Sequence, residues 1–403
     1  MRAGQPNDGP RRPQPLWQRR FVKITAVRAT CLAVPFRRPE SWAAGKRRGV
    51  NNILVEIETD QGVVGLGEAT CGSGGSPEPV RAVIEAFAPH LLGGDPRLIH
   101  RHVGRFGSEA RWRLWRDFSN TALAAIESAL WDILGKSLAL PVHQLLGGRI
   151  RDRVPVFGYV MHDTPDAMAM AAEAMVRQGF RTIYVKVGLT AEQDEQAVRA
   201  VREGIGPAAR LRIDANEAWD QGEALRRITR LSRHGLDLVE QPVPRDDIAG
   251  LAALRRKLPV PVAANQSCWA VEDVLAVIRQ DAADVMVAGL HWLGGIDQMR
   301  RAAALCESAS IPFCRHSSGE LGVATAAGLH ALAVMPLLDD GNQSYFSHWP
   351  HDILAGAPMA LVDGCHVVPD GPGLGVELDR AAVDELAARY RRDGPFLPEA
   401  PGG

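Results

Sequence analysis

The chain has almost no net charge: 46 Lys and Arg face 47 Asp and Glu, a formal −1 over 403 residues. That balance offers no broad positive face for a nucleic-acid backbone or an anionic membrane, so neither is expected as a partner. Any charged ligand must be handled by a few local groups. Cysteine is sparse too. Cys31, Cys71, Cys268, Cys306, Cys314 and Cys365 are scattered with no C-x-x-C pair, which suggests reduced thiols and a cytoplasmic setting and not a disulfide frame. No apolar run approaches the length of a bilayer span. The opening MRAGQPNDGPRRPQPLWQRR lacks the apolar core of a secretory signal and reads as a flexible basic tail over residues 1–20.

At this length a single core is strained, and one large domain with a smaller companion is expected. Residues 21–150 read as the companion, an α+β unit. FVKITAVRATCLAV and NNILVEIETDQGVVGLGEA carry β-branched runs, and PEPVRAVIEAFAPHLLGG is helical. In TALAAIESALWDILGK, residues Ala122, Ala125, Ile126, Ala129, Leu130 and Ile133 fall on one helical face. From 151 to 360 strand and helix alternate. VPVFGYV, TIYVKVG, LRIDAN, LDLVEQP, VPVAANQ, DVMVAGL, IPFCRHS and, more weakly, PLLDDGNQ are the strands. Short apolar strands between helices suit a covered parallel sheet, and eight such units make a (β/α)₈ barrel. Residues 361–403 drop the alternation and are expected to return to the first unit.

Lys186, Asp214, Glu240, Asn265, Gly289 and His316 sit at the ends of successive strands, recurring roughly every 26 residues, about one strand, one helix and two loops. Barrel sites form at the C-terminal ends of their strands, so this rhythm gathers a base, three oxygen donors and an imidazole. Asp214, Glu240 and Asn265 are hard donors on adjacent strands and suit Mg²⁺, or Mn²⁺, better than zinc. Each has a local alternative, such as Asp214 and Asn216 capping the next helix. Lys186 beside a cation would be driven toward its neutral, basic form; the alternative is a salt-bridging lysine. His316 lies across the mouth from Lys186, as a second acid/base group or as a structural histidine. A carboxylate substrate held on such a cation can lose its α-proton because the resulting enediolate is stabilised.

These residues resemble a known family. ALWDILGK, YVKVG, IDANEAW, VEQP, VAANQS, GLHWLGG, RHS and PGLGVEL resemble the mandelate racemase/muconate lactonizing enzyme branch of the enolase superfamily over nearly the whole chain. The resemblance implies a modified (β/α)₈ TIM barrel under an N-terminal α+β cap completed by the C-terminal segment. It also implies Mg²⁺ on Asp214, Glu240 and Asn265, and homo-oligomers. Asn265, GLHWLGG and the late Ser347-His348-Trp349 resemble glucarate dehydratase-like members. The expected activity is therefore dehydration of a sugar acid or diacid, Lys186 taking the α-proton and His316 protonating the departing hydroxyl. An epimerase or isomerase using the same enediolate, or a metal-binding pseudoenzyme, are the alternatives.

Two positions depart from the family. Tyr184 replaces the first lysine of a common Lys-x-Lys; it either bonds the substrate carboxylate or fills the barrel mouth. Gly289 stands where relatives carry Asp to hold the histidine, or Lys, so Glu320 becomes a candidate partner for His316. Asn216, His291 and His348 are further pocket candidates. A cap loop bearing Arg37, Arg38, Lys46, Arg47 and Arg48 could meet a distal carboxylate, with Arg37 as its representative. The Gly-rich ATCGSGGSPE has no phosphate-loop signature and reads as a second mobile cap loop.

Overall fold

The cap begins with three antiparallel strands in the order β1 (Ile24–Trp42), β2 (Gly45–Thr59), β3 (Val64–Thr70). A computed structural model of the protein describes residues 22–43, 45–71, 75–109, 116–350, 352–356 and 358–399. The expected basic tail and part of the Gly-rich loop lie outside these residues. Three helices follow the sheet: α1 (Glu78–Leu91), α2 (Ile99–Glu109) and α3 (Arg116–Leu138).

The sheet and α3 approach backbone to backbone. A Cβ on Gly67 would stand 1.9 Å from Ala125 O, and one on Gly65 would stand 2.2 Å from Ala129 O. The glycines of β3 and the alanines of α3 are thus one packing device. The expected one-sided burial of α3 is an understatement, because the helix is buried on nearly every side. Its polar residues are buried because they terminate other elements. Glu127 accepts from Ile296 N and, at 3.1 Å, Asp297 N. Asp132 accepts from Leu66 N and Leu374 N, both at 2.8 Å. Carboxylates that accept main-chain donors satisfy groups that burial would otherwise strand.

After α3 the chain makes a short strand, β4 (Arg153–Pro155), then the parallel strands β5 (Gly158–Val160), β6 (Thr182–Lys186), β7 (Arg210–Asp214), β8 (Leu238–Glu240), β9 (Val262–Ala264), β10 (Val285–Ala288) and β11 (Phe313–Arg315). The last seven neighbour one another in order, β5 to β11. Helices separate them, several with side-chain caps: Thr190 and Gln193 form a reciprocal capping box, and Asp220 and Asp247 accept from their first turns.

VPVFGYV does not form one strand. Val156 N donates to Gly364 O while Phe157 N donates to Asn342 O, so the chain changes partners at Val156. β4 instead joins the C-terminal strands β12 (Leu361–Val362) and β13 (Cys365–Val367). The weak eighth strand closes the barrel through two isolated parallel bridges, Phe313 with Leu338 and Val156 with Asn342. Its irregularity has a local cause. The Asn342 side chain stands in for backbone, accepting from Arg315 N at 2.8 Å and donating to Pro155 O at 3.1 Å.

The C-terminal segment completes the cap as expected. Glu399 bridges Lys46, Phe396 N donates to Asn51 Oδ1 at 2.9 Å, and Arg380 pairs with Glu56 at 2.7 Å. No helix among the described residues is long and apolar enough to cross a membrane.

Candidate active site

Register places the first site residues in a row. Lys186 on β6 is the lateral partner of Asp214 on β7, which is the partner of Glu240 on β8. Glu240 in turn pairs with Ala263 on β9. Asn265 is two residues further and projects from the same face, one step nearer the strand ends. All four side chains are buried.

Lys186 Nζ donates to Asp214 Oδ2 at 2.6 Å. Tyr184 also donates its hydroxyl to that oxygen, and its ring stacks on Phe157 at 4.3 Å. Of its two sequence readings, Tyr184 here fills the barrel beneath the mouth and braces Asp214. Asn216 contributes two more bonds, from its backbone N to Asp214 Oδ1 at 2.8 Å and from its amide to Oδ2 at 2.9 Å. Gln343 grips both oxygens of Glu240 at 2.8 and 3.0 Å. Burial, and next the Asp214 charge, raise the Glu240 carboxyl to about 8, against the pull of Lys186. Two buried carboxylates that repel one another are an arrangement a bound cation relieves.

The orientation of Asn265 is set by its donors. Its amide nitrogen reaches Val287 O at 3.0 Å and His316 Nδ1 at 3.1 Å. The reverse orientation would set two carbonyl oxygens against each other. Asn265 Oδ1 is left buried with no hydrogen-bond partner among the described residues. Such an atom needs a ligand, and beside Asp214 and Glu240 it fits a hard divalent cation. Among the described residues no three His, Cys, Asp or Glu side chains cluster as a metal site; the set is two carboxylates and an amide.

The backbone after Asp214 is strained toward the site. Asn216 and Glu217 have φ of 46° and 66°, and Gln241 has 36°, left-handed values that cost about 1 kcal/mol or more each. Glu217 N bonds Gln241 O at 2.9 Å. The Glu217 carboxylate takes a forked pair from Arg245 at 3.1 and 3.0 Å, which holds the turn.

His316 follows β11 and lies over the β10 end. Its Nδ1 accepts from Asn265, so its proton sits on Nε2 and is donated to Ser318 Oγ at 2.9 Å. Trp292 stacks on the ring at 3.8 Å, and Trp269 stacks on Trp292 at 4.2 Å. Burial, and secondarily His291, push His316 well below the usual imidazole range. The carboxylate absent at Gly289 is not replaced by direct contact with Glu320. Glu320 instead lies 3.1 Å from His291 Nδ1, an ion-pair distance, with Ser317 Oγ and Arg315 on its other oxygen.

A cavity of about 370 Å³ opens above these residues. Lys186, Asn216, His291, His316, Ser318 and the cap pair Glu40–Arg47 are among its lining. The cap's cation here is Arg47, not Arg37: Arg37 donates to Trp349 O at 2.7 Å and is absent from the lining. Arg47 pairs with Glu40, which also accepts from Tyr159 and Tyr345 hydroxyls at 2.7 and 2.9 Å. His348 is not in the lining either. It packs edge-on against Tyr159 and Tyr345, and burial lowers it to about 4. Sequence reading passed over Ser318, Gln343 and the Glu40–Arg47 pair. Gln343 ends the eighth strand, so the rhythm of strand ends could have found it. Nothing in the loop sequence separates Arg47 from Arg37.

Residues 24–147 match the mandelate racemase/muconate lactonizing enzyme N-terminal domain, and residues 167–382 match the enolase C-terminal domain-like family. The chain belongs to the enolase superfamily, in its mandelate racemase/muconate lactonizing enzyme branch. It is 32% identical to a D-galactarolactone cycloisomerase of Agrobacterium fabrum, over 91% of this chain and 99% of that one. Identity to muconate cycloisomerase 1 of Rhodococcus opacus is also 32%, over 90% and 98%. The N-succinyl-L-Arg/Lys racemase of Bacillus cereus is 28% identical over 91% and 98%. Among solved structures, muconate lactonizing enzyme of Pseudomonas fluorescens with muconolactone superposes with TM-score 0.86 at 31% identity, covering 91% of this chain and all of that one. An enolase of Thermobispora bispora with magnesium and formate gives 0.85 at 30%, covering 93% and 95%. These relatives are mostly cycloisomerases, racemases and epimerases, and the finer likeness to glucarate dehydratases is not separated from them.

Proposed function

We propose that this enzyme is an isomerase of a small polar carboxylate, a sugar acid or its lactone, acting through an enediolate. Lys186 takes the proton α to the carboxylate, and a group across the mouth returns a proton. The observation that carries this reading is the row Lys186–Asp214–Glu240 with the unpartnered Asn265 Oδ1 beside it, near a cavity lined by charged and aromatic side chains. Asp214, Glu240 and Asn265 would hold Mg²⁺, or Mn²⁺, which when bound stabilises negative charge on a substrate carboxylate. Tyr184 and Asn216 orient Asp214, Gln343 orients Glu240, and Lys186 is already aimed at the place where the carboxylates converge. Arg47 and Glu40 offer a charged and hydrogen-bonding pair to the far end of a substrate. The cycloisomerases and racemase among the relatives support isomerisation over loss of water.

Dehydration is the second reading. It is favoured by the Ser318 hydroxyl, which lines the cavity on the β11 side with an imidazole nitrogen on it, a protic group suited to a departing hydroxyl. One experiment separates the outcomes. The enzyme is incubated with Mg²⁺ and a panel of sugar acids, diacids and lactones in deuterated water, and each product is followed by NMR. Isomerisation gives deuterium at the α-carbon with the oxygen count kept. Dehydration gives a keto acid, and a binding protein without activity gives neither. Lys186→Ala should abolish the exchange while Mg²⁺ still binds; retained exchange would remove Lys186 from its role.

A further inference from the structure

Position 289 has no side chain, and its place is taken by His291. A Cβ on Gly289 would stand 3.2 Å from His291 Cε1 and 3.1 Å from His316 O, so a side chain there would crowd the second imidazole. His291 is buried, yet it lines the cavity. Its Nδ1 faces Glu320 Oε1 at 3.1 Å and its Nε2 faces Ser318 Oγ at 3.0 Å. Glu320 is fixed as an anion by Arg315, His291 and Ser317. Ser318 Oγ thus lies between two imidazoles, 2.9 Å from His316 Nε2 and 3.0 Å from His291 Nε2.

His316 has no nitrogen free. Asn265 holds Nδ1, Ser318 holds Nε2, and Trp292 at 3.8 Å keeps the ring from turning. His291 differs: Nε2 meets the Ser318 hydroxyl, and Nδ1 stands at ion-pair distance from Glu320 without a hydrogen bond formed.

We propose that the proton returned to the substrate comes from a His291 imidazolium paired with Glu320, delivered through the Ser318 hydroxyl, and that His316 is a positioning residue. The proposal rests on the enediolate reading above. The Ser318 O–H bond breaks as its proton goes to the enediolate carbon, or to the departing oxygen in an elimination. Ser318 Oγ then takes the Nε2 proton of His291, which becomes neutral and keeps its Nδ1 proton toward Glu320. The charge of Glu320 is unchanged, and one proton has been delivered. His316 Nε2–H holds the hydroxyl in place throughout, which leaves the serine proton free to point into the cavity.

The test uses the 403-residue chain in two ways. Side-chain ¹⁵N NMR of histidine-labelled protein at pH 7, without substrate, should show a signal from His291 with both nitrogens protonated. That signal should disappear in His291→Gln and shift in Glu320→Gln, while a signal with a bare Nδ1 disappears in His316→Gln. A His291 with unprotonated Nε2 would overturn the proposal. On a panel substrate, His291→Gln and Ser318→Ala should lower product formation ~10²–10⁴-fold while Lys186-dependent deuterium exchange stays within about threefold of the parent. Ser318→Thr, which keeps the hydroxyl, should recover most of the loss. Product formation within about threefold of the parent in His291→Gln, or exchange falling in parallel with product, refutes the delivery route. A parent enzyme with neither exchange nor product on the panel refutes the proposed reaction, and the NMR result still decides the charge state of His291.

Discussion

Asn265→Asp is nearly isosteric, yet it should disturb the site in a defined order. In the parent, the amide nitrogen donates to Val287 O at 3.0 Å and His316 Nδ1 at 3.1 Å. A carboxylate can donate to neither. Val287 O is left buried against another oxygen, a loss of about 1–3 kcal/mol. His316 must move its proton from Nε2 to Nδ1 to meet the new acceptor, and the Ser318 hydroxyl at 2.9 Å must turn from accepting to donating toward Nε2. The third carboxylate also joins Asp214 and Glu240, a pair already in mutual repulsion. In metal-free buffer the variant should be at least about 1–3 kcal/mol less stable by urea unfolding. Saturating Mg²⁺ should stabilise it more than it stabilises the parent, because the added charge is then compensated. The ¹⁵N signals of His316 should report the Nδ1-protonated tautomer. A variant as stable as the parent in chelator, with His316 still protonated on Nε2, would refute the assigned orientation of Asn265 and with it the free Oδ1.

Other outcomes follow from the same geometry. Arg47→Ala strips the partner from the buried Glu40 and should cost about 3–5 kcal/mol by urea unfolding. Arg48→Ala, whose pair with Glu399 is exposed, should cost under about 1 kcal/mol. Gly289→Asp should not restore a carboxylate–histidine pair. It should destabilise the protein by about 1–3 kcal/mol through collision with His291 and His316 O, and His291→Ala in the same chain should recover part of that on thermal melting. Burial first lowers His330 and His348 to about 4 and His366 to about 3, below the ordinary 6.5. His330 shows the geometry: Nδ1 accepts from His143 N and Nε2 donates to Leu374 O, both at 3.1 Å. The unfolded chain therefore takes up protons below 6.5 that the folded chain refuses. The stability these residues contribute is complete above pH 6.5 and lost as pH falls toward 4, by at most about 1.4 kcal/mol per pH unit for each. Urea melts at pH 7 and pH 5 should show the loss, and His330→Gln should reduce the difference.

Much of the architecture was legible because it is periodic. Apolar strands at a regular spacing demand cover on both faces, and this made the barrel readable before any contact was known. The weak strand PLLDDGNQ was hard to read because its pairing is carried by the Asn342 side chain, which has no apolar signature. VPVFGYV looked continuous because the change of partner at Val156 depends on Gly364 and Asn342, far away in the chain. α3 looked one-sided because its buried carboxylates read as solvent-facing until Ile296, Asp297, Leu66 and Leu374 supplied their donors.

The sequence by itself determined which polar side chains stand at the strand ends. Lys186, Asp214, Glu240 and Asn265 follow from spacing and residue type, since each strand of a barrel delivers its last side chain to the same rim. Tertiary structure alone decided which loop cation enters the cavity, and it chose Arg47 over Arg37. It also decided what stands at the empty position 289. Those answers depend on contacts between segments distant in the chain, such as Glu40 with Tyr345 and Asn265 with His316. Such contacts leave no periodic trace, because they join single side chains and not repeating faces.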